Sequence, residues 1–134
     1  MPVVQTSTSH AVYETFYHIV WSTKYRKRVL TGAIAESTKS FLTELCSCHD
    51  YPLHSIEVME DHLHVFVSFT PKLSISSVVK DLKGSSARML FLKHPEIKRF
   101  LWGGHLWNPS YYVGTAGGVS KESIQRYIEE QKTK

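Results

Sequence analysis

From His62 to Phe69 the side chains sort by parity: Leu63, Val65, Val67 and Phe69 fall on one set, and the other set opens with His62 and His64. A repeat of two belongs to a β-strand, because successive residues of an extended chain project to opposite faces. The apolar set must be laid against a core, so both imidazoles are expected on the opposite face. Leu53 to Met59 reads as the neighbouring strand, joined through the tight polar connection Glu60-Asp61. A chain with this hairpin has to build a sheet that is covered on one side.

The remaining elements arrange themselves around it. Tyr13 to Thr23 is aromatic and β-branched, with Phe16, His18 and Val20 on one face and Tyr17, Ile19 and Trp21 on the other, which predicts a strand buried on both sides or nearly so. Ala33 to Cys48 repeats Ile34, Thr38, Phe41, Leu42 and Leu45 at helical spacing, Cys46 packs as a small apolar residue, and His49, Asp50 and Pro52 end the run. A second helix runs from a Ser74 N-cap to about Lys93 on a stripe of Ile75, Val78, Val79, Leu82, Met89 and Leu90, with Pro95 just beyond its end. Gly84 inside it costs roughly 1 kcal/mol relative to Ala, so it marks either a close-packing point or an approach to the backbone. Phe100 to Pro109 reads as a loop, Ser110 to Thr115 as a strand, and Gly117-Gly118 as a break. A last helix then begins at Ser120, with Val119 and Ile124 placed as a hydrophobic staple, and reaches at least Gln131.

The order is β-α-β-β-α-β followed by a helix. Short right-handed connections make this an α+β chain with a ferredoxin-like antiparallel sheet, both helices on one face and the C-terminal helix added. Residues 1–12 are expected to be a flexible tail and 13–134 a single domain. The length of 134 residues suits one domain. With 42% hydrophobic and 12% aromatic residues the chain can bury a core, which excludes a disordered tail. No stretch approaches the ~20 apolar residues of a membrane span and the N-terminus has no signal-peptide core, so a cytoplasmic protein with no membrane partner is expected. Cys46 and Cys48, one residue apart, suit neither a disulfide framework nor a complete zinc site and point to a reducing compartment.

Charge points weakly toward a polyanion: 16 Lys and Arg stand against 12 Asp and Glu, a formal balance of +4. The densest basic stretch, Lys24, Tyr25, Arg26, Lys27 and Arg28, could hold phosphates and stack a base, or be a solvated loop. Two imidazoles side by side on a strand suit a divalent metal; a hydrogen-bonded surface pair is the other reading of His62 and His64. In the last helix Tyr127 and Gln131 lie four residues apart and share a face. Each taken alone is a packing aromatic and an ordinary surface amide.

The combination is more specific than its parts. A His-hydrophobic-His strand and a C-terminal Tyr-x-x-x-Gln helix follow the leading segment Tyr17-His18-Ile19-Val20-Trp21 and Lys24-Tyr25-Arg26. Glu57-Val58-Met59, Leu82-Lys83-Gly84-Ser85-Ser86-Ala87-Arg88, Leu101-Trp102 and Trp107-Asn108-Pro109-Ser110-Tyr111 complete the set. The chain resembles, over nearly its whole length, the TnpA-type single-tyrosine HUH transposases of small bacterial and archaeal insertion sequences. It departs at Glu60, where that family commonly has proline.

The resemblance implies that His62, His64 and Gln131 hold a divalent ion, Mg²⁺ or Mn²⁺ by ligand type with Zn²⁺ also compatible, and that Tyr127 attacks a phosphodiester of single-stranded DNA. It further implies a 5′-phosphotyrosine intermediate, recognition of DNA hairpins near the element's ends, and a homodimer whose tyrosine helix can complete the partner's histidine site. DNA would be held by Lys24, Tyr25, Arg26, Lys27 and Arg28 and, on the second helix, by Lys80, Lys83 and Arg88. Two other functions are open: a non-catalytic single-stranded nucleic-acid-binding module of the same fold, or a domesticated relative that cleaves chromosomal hairpins.

Overall fold

Strands β3 (Tyr17–Ser22), β4 (Leu53–Val58), β5 (His62–Val67) and β6 (Tyr112–Thr115) form one antiparallel sheet in the order β4-β5-β3-β6. Residues 6–7, 12–13, 16–70, 72–101 and 104–115 are described in this computed structural model. Before the sheet, β1 (Thr6–Ser7) pairs antiparallel with β2 (Val12–Tyr13), so part of the expected tail is in strand pairing. The long helices are α1 (Gly32–Cys48) and α2 (Ile75–Lys93), and the strand order is that of a ferredoxin-like fold. The expected last helix, with Tyr127 and Gln131, lies outside the described residues.

Parity decides which side each strand buries. Ile19 pairs with Val65 and Trp21 with Leu63, and all four are fully buried with Leu42 of α1 and Leu82 and Leu90 of α2. Removing each such side chain from water contributes roughly 1.5–3 kcal/mol, so this layer holds the helices to the sheet. Val20 and Ser22, on the opposite parity, are also fully buried, so β3, one of the two inner strands, is covered on both faces from Ile19 to Ser22.

Local chemistry sets the helix ends. The Ser74 hydroxyl accepts from the Ser77 N–H at 3.1 Å and caps α2. At the end of α1, Asp50 takes the left-handed conformation at φ 57, its N–H donates to the Ser47 carbonyl and Tyr51 N–H donates to the Cys46 carbonyl. That is a Schellman closure with aspartate where glycine is usual, and the buried Tyr51 and Cys46 supply its apolar contact. Burial pushes the Cys46 thiol up to about 11.

The structure departs from the sequence reading in detail. Met89 is half-exposed, and the buried position on that turn of α2 is Ser86, whose hydroxyl accepts from Trp107 Nε1 at 3.1 Å and donates to the Lys83 carbonyl. Pro95–Arg99 forms a 3₁₀ turn that buries Ile97. A bulge at His54 shifts the β4 register, with Leu53 opposite Val67 but Ser55 opposite Phe66. A Cβ at Gly84 would meet Arg88 Nη1 at 3.6 Å, an ordinary contact, so close packing is not its reason among the described residues. Gly84 instead lines a groove of about 330 Å³ with Val79, Lys80, Lys83, Pro109 and Tyr111.

Candidate metal centre

His62 and His64 emerge from the same face of β5, opposite the buried Leu63 and Val65, with ring centroids 5.2 Å apart. Each ring is anchored through one nitrogen. His62 Nδ1 lies 2.8 Å from Asp61 Oδ1, and Asp61 Oδ2 accepts from Arg26 Nε at 2.9 Å and Nη2 at 2.7 Å. His64 Nδ1 lies 2.9 Å from His18 Nε2. Both Nδ1 atoms are therefore engaged, and these bonds leave the two Nε2 atoms untouched.

The electrostatics favour neutral imidazole at His64. Burial, together with the neighbouring His62 and His18, holds its pKa down at about 4. Burial also lowers His18, against a smaller opposing pull from Glu57. At Asp61 burial alone would raise the carboxyl, but the hydrogen bonds from His62 and Arg26 and the guanidinium charge hold it below the ordinary carboxylate value. A carboxylate behind a histidine orients the ring and raises its basicity as a ligand.

A divalent ion fits these groups. Two imidazoles with oriented Nδ1 atoms are the outer-supported donors such ions take. Ser22, paired with His62 across β3 and β5, has a fully buried hydroxyl on this same face that finds no hydrogen-bond partner among the described residues. A buried hydroxyl without a partner costs about 1–3 kcal/mol, so a polar group reaching this face would relieve it. Among the described residues no three of His, Cys, Asp or Glu are placed to hold one metal ion together, and Gln131 lies outside the described residues.

The basic segment locks the turn that carries His62. Thr23 N–H donates to the Asp61 carbonyl at 2.9 Å, its hydroxyl donates to the Lys27 carbonyl at 2.7 Å, and Leu30 N–H donates to the Glu60 carbonyl at 2.9 Å. Tyr25 and Arg26 adopt φ of 56 and 52 in the Lys24–Arg26 3₁₀ turn, which aims the Arg26 guanidinium inward at Asp61. Tyr25, Lys27 and Arg28 remain exposed, and Lys24 Nζ sits 5.1 Å over the Tyr25 ring. Glu60, the departure from the resembled family, is exposed and faces Arg28 at 4.0 Å.

On α2, Lys80 and Arg88 are exposed, whereas Lys83 donates to the Asn108 carbonyl at 2.6 Å and the Ser110 carbonyl at 3.1 Å, and burial lowers its pKa to about 8. Lys83 thus ties α2 to the loop before β6, a use that sequence reading did not foresee. His18 and Asp61 were missed as parts of the site too. A histidine on the otherwise apolar parity of β3 was the available signal for His18, but its nearness to His64 depends on a strand register absent from the sequence.

Comparison with known proteins places the chain in a family. Residues 11–131 match the model of the family described as "Transposase IS200 like". The ISDra2 transposase TnpA of Deinococcus radiodurans is 43% identical over 123 residues, covering 92% of this chain and 88% of that protein. The transposase for insertion sequence element IS200 of Salmonella typhimurium is 32% identical over 127 residues, covering 95% and 83%. A crystal structure of a candidate transposase from Deinococcus radiodurans R1 superposes with a TM-score of 0.85 at 40% identity, covering 94% of this chain and 97% of that one. A REP-associated tyrosine transposase, solved bound to a REP hairpin, shares the fold at a TM-score of 0.53 and 12% identity, covering 92% and 69%. With the match running across residues 11–131 and relatives of one kind at 43% and 32% identity, this chain belongs to the IS200-like transposase family.

Proposed function

We propose that this transposase cleaves and rejoins single-stranded DNA at insertion-sequence ends, with Tyr127 as nucleophile and His62, His64 and Gln131 as ligands of Mg²⁺ or Mn²⁺. The observation that carries the reading is the pair of imidazoles on one strand face, each bonded through Nδ1 so that both Nε2 atoms are available. When bound, the cation would neutralise phosphate charge and align the scissile group. A phenol has a pKa near 10, so Tyr127 must lose its proton as its oxygen bonds to phosphorus. The phosphorus–O3′ bond breaks, the 3′ oxygen takes up a proton, and the 5′ phosphate stays on Tyr127. The phosphotyrosine ester retains the bond energy, so rejoining needs no nucleotide cofactor.

The half-buried Lys24 and the exposed Tyr25, Lys27, Arg28, Lys80 and Arg88 would hold the DNA backbone and end hairpins. Arg26 and Lys83 would act by fixing the loops beside them. The unit we propose is a homodimer whose tyrosine helix completes the partner's histidine site. A non-catalytic stacking module is the weaker reading, because His62 and His64 stand on that face where stacking rings are needed, and Phe16, stacked at 6.4 Å on the half-buried Phe66, is 2% exposed.

The test is a covalent-adduct assay with single-stranded oligonucleotides spanning the candidate element ends, in Mg²⁺. A protein–DNA adduct that disappears in Tyr127→Phe is the expected result. No adduct across the whole set of ends, or an adduct that survives the substitution, would overturn the reading.

A further inference from the structure

His64 can present an electron pair through Nε2 only if its proton sits on Nδ1. That nitrogen is 2.9 Å from His18 Nε2, and one hydrogen bond between two ring nitrogens holds one proton. Were His18 the donor, His64 Nδ1 would accept, the His64 proton would sit on Nε2, and no lone pair would face a cation. We propose that His18 is a positioning residue: its Nε2 accepts the hydrogen bond from His64 Nδ1–H and so holds His64 in the tautomer that offers Nε2 alongside that of His62. This inference rests on the metal reading above and deepens it.

Packing fixes where the His18 ring sits. Register pairs Val20 with His64 and His18 with Phe66, which makes His18 and His64 diagonal neighbours on adjacent strands. The His18 ring is held between Phe66, at a centroid distance of 5.0 Å, and His64, at 5.1 Å. The two ligands are then supported differently. His62 leans on the carboxylate of Asp61, itself gripped by Arg26, while His64 leans on a neutral ring. Accepting at Nε2 obliges His18 to carry its own proton on Nδ1.

The experiment uses the full chain and Mn²⁺ alone, titrated into wild type, His64→Ala, His18→Phe and His18→Gln, with ¹⁵N–¹H long-range spectra of the metal-free wild type. Phe keeps the ring packing and removes the acceptor; the Gln side-chain amide reaches about as far as Nε2 and restores one. We expect the metal-free His64 proton on Nδ1, an Mn²⁺ dissociation constant raised about tenfold or more by Phe, and a value near wild type with Gln. A folded His18→Phe that binds as wild type does, a Gln variant no better than Phe, or a His64 proton on Nε2 would each overturn the role of His18. If His18→Phe fails to fold, the wild-type tautomer decides. Failure of the metal reading itself is seen separately, as an Mn²⁺ affinity that His64→Ala leaves unchanged.

Discussion

Asp61 is bonded on both oxygens, to His62 on one side and Arg26 on the other, and no neutral residue reproduces both contacts with the same charge. Asp61→Asn keeps the size and removes the anion, so Mn²⁺ affinity should fall on the order of tenfold while the fold is retained, checked by metal titration and circular dichroism. Lys83 makes a prediction in pH. The unfolded chain holds the lysine proton up to its ordinary 10.5, whereas the folded chain releases it near 8. Between those values the unfolded state binds more protons, so stability rises with pH. Measured by urea unfolding, wild type should gain on Lys83→Met between about pH 8 and pH 10; a constant difference would mean that this ammonium is solvated. At this scale the two imidazoles were legible in the sequence, because parity is a property of one strand. The partners of His62 and His64 were legible unequally: Asp61 is adjacent in the chain, and His18 is 46 residues away.

The elements obey their local signals closely. Both helices start and stop within a residue or two of the expected places because caps are short-range devices: Ser74 opens α2 and the Asp50 turn closes α1. Ser74→Ala should therefore cost about 1 kcal/mol in thermal or denaturant unfolding. Gly84→Ala should do the reverse, stabilising α2 by up to about 1 kcal/mol, since the added methyl meets a flexible guanidinium at an ordinary distance. If the variant is destabilised, the open groove beside Gly84 is tighter than its geometry indicates. What local signals missed were features of partnership. Ser86 is buried because Trp107 needs an acceptor, which hydropathy cannot express. The His54 bulge and the Pro95–Arg99 turn have no period to announce them.

For the whole molecule, the described residues supply two imidazoles and their supports, and the proposed chemistry needs a phenol brought to them. If the tyrosine helix of one subunit serves the other's histidines, mixing the two inactive variants His64→Ala and Tyr127→Phe should restore adduct formation. The heterodimer then contains one site with both histidines and a tyrosine. Mixtures as inactive as either parent would place the tyrosine in its own subunit's site. No helix among the described residues is long and apolar enough to cross a membrane.

Alternation along the chain by itself determined that Leu63 and Val65 enter the core and that His62 and His64 share the opposite face, because those directions follow from the covalent geometry of one extended segment. Element order likewise determined the strand sequence of the sheet, since short right-handed connections leave few ways to arrange six elements. Only the tertiary structure decided that His18 meets His64, that Arg26 reaches Asp61, and that Lys83 closes on Asn108. Those contacts join segments 25 to 46 residues apart, and their register is settled by how the buried faces of β3, β5 and α2 pack together, not by any preference of the residues themselves.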